Sequence, residues 1–331
     1  MNRHLIIALV LAAGCTSAPT PKTAPDSVAS AASSASSAPA ASSSAPPAAS
    51  SAPVAKAVPP APRLVIKNAC SYDIWIQQDK MPAPMAQVVM VKAGASESYM
   101  IPAAGLASTR YWPKKGCDAT GQNCSMGQSS SPCGPKGCAP PVDSKLEATW
   151  GCTLADKSQC GKTPQGVPMI DTFWNSSAVD GYTFPFSMKV TGGDGRKSCL
   201  PVDCSGLTLA ACPKLDDLSD GGKNKKYAKE DLNLTGGVGC FSPCMKLNYP
   251  GFGGDGLNAP AGPVEKMYCC PTPPVSSPQC QAGTVPKTNF VKLVHSACKG
   301  TAYGYAYDDG IGGRNCSGDT VIEMTVGPNC P

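Results

Sequence analysis

A chain of 331 residues with a net charge of +5 is too weakly basic to argue for nucleic acid, and no cluster of Lys and Arg alternates with aromatic residues. Its only histidines are His4 and His295, which excludes a multi-histidine metal centre, and no GxxxxGK[ST] loop offers a phosphate cradle. No cofactor is expected, and any reaction catalysed would need carboxylates to move the protons.

The first fourteen residues read as an export signal. Arg3 and His4 form a polar start, Leu5 to Leu11 an apolar run, and Ala12-Ala13-Gly14-Cys15 a small-residue cleavage site. The run falls short of the roughly 20 apolar residues that span a bilayer. Its ending resembles the lipobox of bacterial lipoproteins, with Ala12 where a large aliphatic residue is more usual. The resemblance implies cleavage before Cys15, acylation of its thiol and attachment to a membrane through that lipid. Thr16 in place of Asp favours the outer membrane. Residues 15–63 are almost entirely Ala, Ser and Pro beyond the cysteine. They bury too little apolar surface to fold, and their prolines favour an extended, semi-stiff chain. They read as a tether for a domain at 64–331.

Within that domain, Leu64–Ile66, Ile74–Ile76, Val88–Val91 and Ser98–Ile101 are strand candidates. Tyr182, Phe184, Phe186, Met188 and Val190 alternate with intervening residues as one half-buried strand, which Pro185 puts at an edge or a bulge. Tyr303, Tyr305 and Tyr307 alternate likewise, as do Ile322, Met324 and Val326. Asp180-Gly181, the run Gly192 to Gly195, and Asp309-Gly310 supply turns. No segment carries a long 3.6-residue period, so the fold class is all-β. With Cys15 assigned to the lipid, eighteen of the nineteen cysteines remain. An even number in an exported chain indicates up to nine disulfides, each stabilising by about 2–4 kcal/mol, and the CxxC spacing of zinc sites is absent. Eight of the eighteen fall between Ser198 and Cys280, which reads as a disulfide-stapled lobe (about 198–280) inserted into a β-sandwich.

Several runs resemble the thaumatin-like proteins. Leu64 to Trp75, with its Asn68-Ala69-Cys70, is similar to the family's first strand. Arg110-Tyr111-Trp112 through Gly116-Cys117, Val179-Asp180-Gly181-Tyr182 through Pro185, and Tyr268-Cys269-Cys270 resemble further family motifs. So do Thr288-Asn289-Phe290, the Tyr303–Asp309 run and the Asn329-Cys330-Pro331 ending. The resemblance implies a β-sandwich with a disulfide-rich lobe and an intervening cleft. It also implies the pairs Cys70–Cys330, Cys117–Cys124, Cys133–Cys138, Cys199–Cys316, Cys204–Cys298, Cys212–Cys240, Cys244–Cys269 and Cys270–Cys280. Cys152 and Cys160 are left over and are expected to form a ninth bridge that the plant pattern lacks.

In many members of that family the cleft is acidic. By resemblance Arg110 matches its Arg, Glu147 its Glu, Asp180 one Asp, and Asp308 or Asp309 another. Asn175 stands where the family usually has Asp. Such a cleft implies binding, or weak endo-hydrolysis, of β-1,3-glucan, with antifungal action. In hydrolysis Glu147 would be the acid and Asp180 the base or nucleophile, with Arg110, Asn175, Asp308 and Asp309 around the substrate. Carboxylates about 5–5.5 Å apart retain configuration, and those about 6.5–9.5 Å apart invert it. Trp112, Trp150 and Trp174 are candidates to stack on sugar rings. Other readings stay open: turn or cross-strand roles for the charged residues, buried tryptophans, and a non-enzymatic protein-interaction, inhibitor or structural module of the cell envelope. A monomer is expected.

Overall fold

The computed structural model describes residues 61–79, 86–128, 142, 144–196, 198–233, 238–248 and 262–331. Cys15, Cys133 and Cys138 lie outside them, as does the signal-and-tether segment up to residue 60. In chain order the strands begin with β1 (Ala61–Asn68), β2 (Ile74–Gln78), β3 (Val88–Val91), β4 (Ser96–Ile101) and β5 (Leu106–Lys114). They continue with β6 (Lys145–Trp150), β7 (Thr172–Ser177), β8 (Gly181–Tyr182), β9 (Phe186–Thr191), β10 (Val202–Cys204) and β11 (Cys240–Phe241). After the helices come β12 (Arg314–Cys316) and β13 (Val321–Val326).

Two sheets carry the fold. One has the order β10-β9-β13-β1-β4, the other β12-β7-β6-β5-β2-β3. Alternation puts Leu64, Ile66, Met188, Ile322 and Met324 of the first sheet in one buried cluster with Ile74, Tyr111, Leu146, Trp150 and Trp174 of the second. Tyr99 on β4 meets Tyr111 on β5 edge to face across this core, ring centres 5.5 Å apart. The first and last strands, β1 and β13, pair in parallel at the centre of the five-stranded sheet.

β1 begins at Ala61, and Arg63, expected in the tether, is buried. Its guanidinium donates to Thr320 O, Gly151 O and Thr172 Oγ1 and lies 5.4 Å from the centre of the Trp150 ring. Three acceptors and an aromatic face satisfy the buried charge.

Two strand expectations need correction. The run Tyr182–Val190 is broken at Pro185 into β8 and β9, and β9 is an interior strand between β10 and β13. Proline has no amide hydrogen to give, so the ladder stops there; its carbonyl instead accepts from Gly327 N at 2.7 Å. Tyr303–Tyr307 is no strand. Only Tyr303 bridges β7, at Ser177, and Tyr307 takes a left-handed φ of 68°.

Short helices occupy the lobe and the segment between it and β12: α1 (Pro243–Asn248), α2 (Pro263–Cys269), α3 (Ser277–Ala282), α4 (Asn289–Ala297) and α5 (Asp309–Gly312). None is long enough to show an extended helical period, yet the end signals are present. Ser276 and Gln279 form a capping box on α3, and Thr288 Oγ1 caps α4 at Val291 N. α4 buries Phe290, Val291 and Val294. β10 belongs to the five-stranded sheet, so the lobe proper begins after Cys204 rather than at Ser198.

Eight disulfides lie among the described residues. Seven are pairs that the family resemblance implies, and the eighth is Cys152–Cys160. Cys70–Cys330 closes a sequence separation of 260, which in the chain-entropy picture contributes about 5 kcal/mol.

Asp216 links the lobe to α4. Its buried carboxylate accepts from Asn289 N at 2.9 Å and Phe290 N at 2.8 Å, two helix-start amides that α4 itself leaves unpaired. Asp216→Ala is expected to cost about 2 kcal/mol, read as a melting temperature lower by about 5 °C; an unchanged melt would remove this role.

Candidate functional site

The candidate residues gather on the outer face of the six-stranded sheet. Leu146, Ala148 and Trp150 point inward from β6, so Lys145, Glu147 and Thr149 point outward. On β7 Trp174 is buried, which turns Phe173 and Asn175 out. Arg110 faces Glu147 in the β5–β6 register, and Glu147 faces Asn175 in the β6–β7 register. The three form one row across adjacent strands. Arg110 Nε lies 3.1 Å from Glu147 Oε1, and both side chains are about one-sixth exposed, at 18% and 17%. On the far side of Arg110, its backbone N–H donates to Asp79 Oδ1 at 2.6 Å.

Asp180 is reached from the same strand face. Lys145, two residues before Glu147, forms an ion pair with Asp180 Oδ2; the lysine side chain is 5% exposed and the aspartate 35%. Asp180 also serves the turn that the Asp180-Gly181 pattern suggested: Gly181 N donates to Ala178 O, and Ser242 N to Asp180 O. Gly181 has φ +132°, and a Cβ there would lie 2.3 Å from Cys240 O, so no other residue fits. The expected acid and base are thus each engaged with a cation, Glu147 with Arg110 and Asp180 with Lys145.

A limb from Tyr303 to Gly313 borders the row. Its backbone is stitched to β7 by Tyr303 N to Ser176 O and Ala178 N to Tyr303 O. Asp308, expected to bind substrate, instead turns inward: it is 3% exposed and accepts from Gly304 N at 2.9 Å. His295 Nε2 lies 2.7 Å from the same carboxylate oxygen, so the single domain histidine braces this limb. Asp309 is exposed and accepts from Tyr303 OH at 2.5 Å. Burial, then Asp309, Glu147 and Asp308, push the Tyr303 phenol far above its ordinary value, so it stays a hydrogen-bond donor.

The tryptophans are core residues. Trp112, Trp150 and Trp174 are buried, with their indole N–H groups donating to Gly127 O, Thr109 Oγ1 and Cys316 Sγ. The open aromatic is Phe173, 53% exposed on the face that carries Asn175. The signal for it was the strand parity of Thr172 to Ser177: with Trp174 inside, its neighbour has to face solvent. Lys145 carries no such local signal, because its partner comes from a turn 35 residues away. Among the described residues no group of three or more His, Cys, Asp or Glu side chains could hold a metal ion.

Residues 68–328 match the model of the thaumatin family. The chain belongs to that family. Among curated relatives it is 28% identical over 279 residues to a glucan endo-1,3-beta-glucosidase from Prunus avium, covering 81% of this chain and 91% of that protein. It is 27% identical over 275 residues to thaumatin-like protein 1 from Pyrus pyrifolia, covering 80% and 91%. A solved structure, of the thaumatin-like xylanase inhibitor TLXI, aligns at a TM-score of 0.33 and 13% identity over 81% of this chain and 100% of that one, too weakly to add to the argument.

The ion pairs around the row differ in what their loss exposes. Asp180→Asn removes the ion pair of a nearly fully buried ammonium and is expected to cost about 3 kcal/mol. Lys145→Met leaves a carboxylate that water can reach and is expected to cost about 1 kcal/mol. Urea unfolding of both variants measures the difference; equal costs would mean the buried lysine finds other partners.

Proposed function

We propose that this thaumatin-family protein recognises β-1,3-glucan or a related neutral wall polysaccharide on the outer face of its six-stranded sheet, and binds the glycan without hydrolysing it. The observation that carries this reading is the exposed Phe173 beside the Arg110–Glu147–Asn175 row. An aromatic face packs against the apolar face of a sugar ring while neighbouring polar groups bond its hydroxyls. The glucan is the ligand class in the name of the Prunus avium relative. The binding-only assignment rests on the ion pairs at Glu147 and Asp180, which commit both expected proton-transfer groups to cations.

The protein is exported and lipid-anchored in this reading. Eight disulfides among the described residues fit folding in an oxidising compartment, and the Cys15 cleavage motif supplies the anchor. Cys15→Ser is expected to move the protein from the detergent-soluble membrane fraction to the aqueous one. A chain that stays in the membrane fraction would rule out the thiol as the attachment point.

For the glycan, the oxidised full-length chain is expected to be retained on insoluble β-1,3-glucan and to release no reducing ends. Phe173→Ala should weaken retention about tenfold without altering the melt. No retention would sink the carbohydrate reading. Reducing ends that vanish with Glu147→Gln would make the protein a glycosidase with Glu147 as its acid.

A further inference from the structure

The lobe holds a groove that the glycan reading leaves unused. It opens between the turn at residues 219–224 and the first turns of α2, encloses about 500 Å³, and is lined by Asp220, Lys223, Asn224, Pro263, Val264 and Met267. That volume falls within the range of small-molecule sites, about 300–1,000 Å³. Both walls are fastened. Tyr268 OH on α2 accepts from Asp220 N at 3.2 Å and donates to Asp217 O at 3.5 Å. Within the turn, Gly222 N donates to Ser219 Oγ and Asn224 N to Ser219 O, both at 2.9 Å. Proline stands at the start of α2, and Cys244–Cys269 and Cys270–Cys280 staple its end.

The lining sets an apolar wall against two opposite charges. Pro263, Val264 and Met267 supply the first, and Met267 adapts to side chains of different shape because its thioether is unbranched. Across from them, Asp220 Oδ2 accepts from Lys223 Nζ at 3.0 Å; the lysine side chain is 78% exposed and the aspartate 15%. An ion pair with one partner so exposed is held weakly and opens at little cost. We propose that the groove binds a short apolar peptide by both of its free ends, its ammonium on Asp220, its carboxylate on Lys223 and its side chains against Pro263, Val264 and Met267. A ligand carrying only one sign of charge meets its like in either Asp220 or Lys223, so a zwitterion is what this lining complements. No aromatic side chain lines the groove, which separates it from stacking on a sugar ring. None of the six residues belongs to the Arg110–Glu147–Asn175 row, so the inference stands apart from the glycan reading.

The test titrates the oxidised full-length chain with leucyl-leucine, N-acetyl-leucyl-leucine and leucyl-leucine amide by calorimetry, with the Met267 methyl resonance as a second reading. The free dipeptide should bind about tenfold more tightly than either capped form, each of which lacks one charge-assisted contact, and should shift the Met267 methyl. Asp220→Asn should bind the free and acetylated peptides equally, and Lys223→Gln the free peptide and its amide equally. Neither variant should alter the melt: Asp220 has a left-handed φ of 53°, which asparagine tolerates, and Lys223 is exposed. Retention on β-1,3-glucan should match wild type in both. Wild type that binds none of the peptides, or binds capped and free forms alike, would overturn the proposal, as would variants that keep the wild-type preference. A Met267 methyl left unshifted by bound dipeptide would put the peptide elsewhere and overturn the site.

Discussion

The parallel pairing of β1 with β13 is the constraint on which the rest depends. Leu64 to Asn68 register against Ile322 to Val326, and Cys70–Cys330 locks the pair just beyond its end. A parallel pair needs a long crossover, and here nearly the whole domain is that crossover. The chain between the two strands supplies β4, β9 and β10 of the same sheet and builds the second sheet and the lobe before it returns. The intermediate disulfides divide this excursion into shorter loops, which lets a Gly- and Pro-rich chain hold irregular segments in place.

The same architecture governs the charge on the outward face of the six-stranded sheet. Period-2 alternation sets Arg110 against Glu147 on neighbouring strands, and Lys145 within reach of the turn at Asp180. Two carboxylates that family resemblance would leave acidic are therefore balanced by cations from the scaffold. Neutral hydrogen-bonding groups and an exposed aromatic dominate what is left. A neutral ligand on such a surface would be held by the geometry of donors and acceptors more than by long-range attraction, with little dependence on salt.

Much of this was legible in the sequence where one face of a strand is buried and the other is not. The run ending at Val326 read correctly for that reason. Tyr303, Tyr305 and Tyr307 misled because all three lose exposure to different neighbours, with turns between them, so their spacing carries no pleat. The half-buried reading of Tyr182–Val190 failed at Pro185, where the chain passes from one sheet to another and both faces are covered. In the candidate site, Arg110, Glu147 and Asn175 were singled out by their resemblance to family positions. Their order across three strands was not legible, because register depends on partners distant in the chain. Asp308 and Asp309 looked interchangeable as neighbours, yet a helix start separates an inward carboxylate from an outward one.

The Arg63 clamp has a mechanical consequence. It pins the entry of the domain to Thr320, Gly151 and Thr172, which belong to distant parts of the sandwich. A pull on the chain ahead of Ala61 therefore enters along the axis of a strand at the middle of a sheet. It loads the hydrogen bonds on both flanks of β1 together, in shear, instead of peeling them one at a time. The entry strand therefore has little slack to give under such a load.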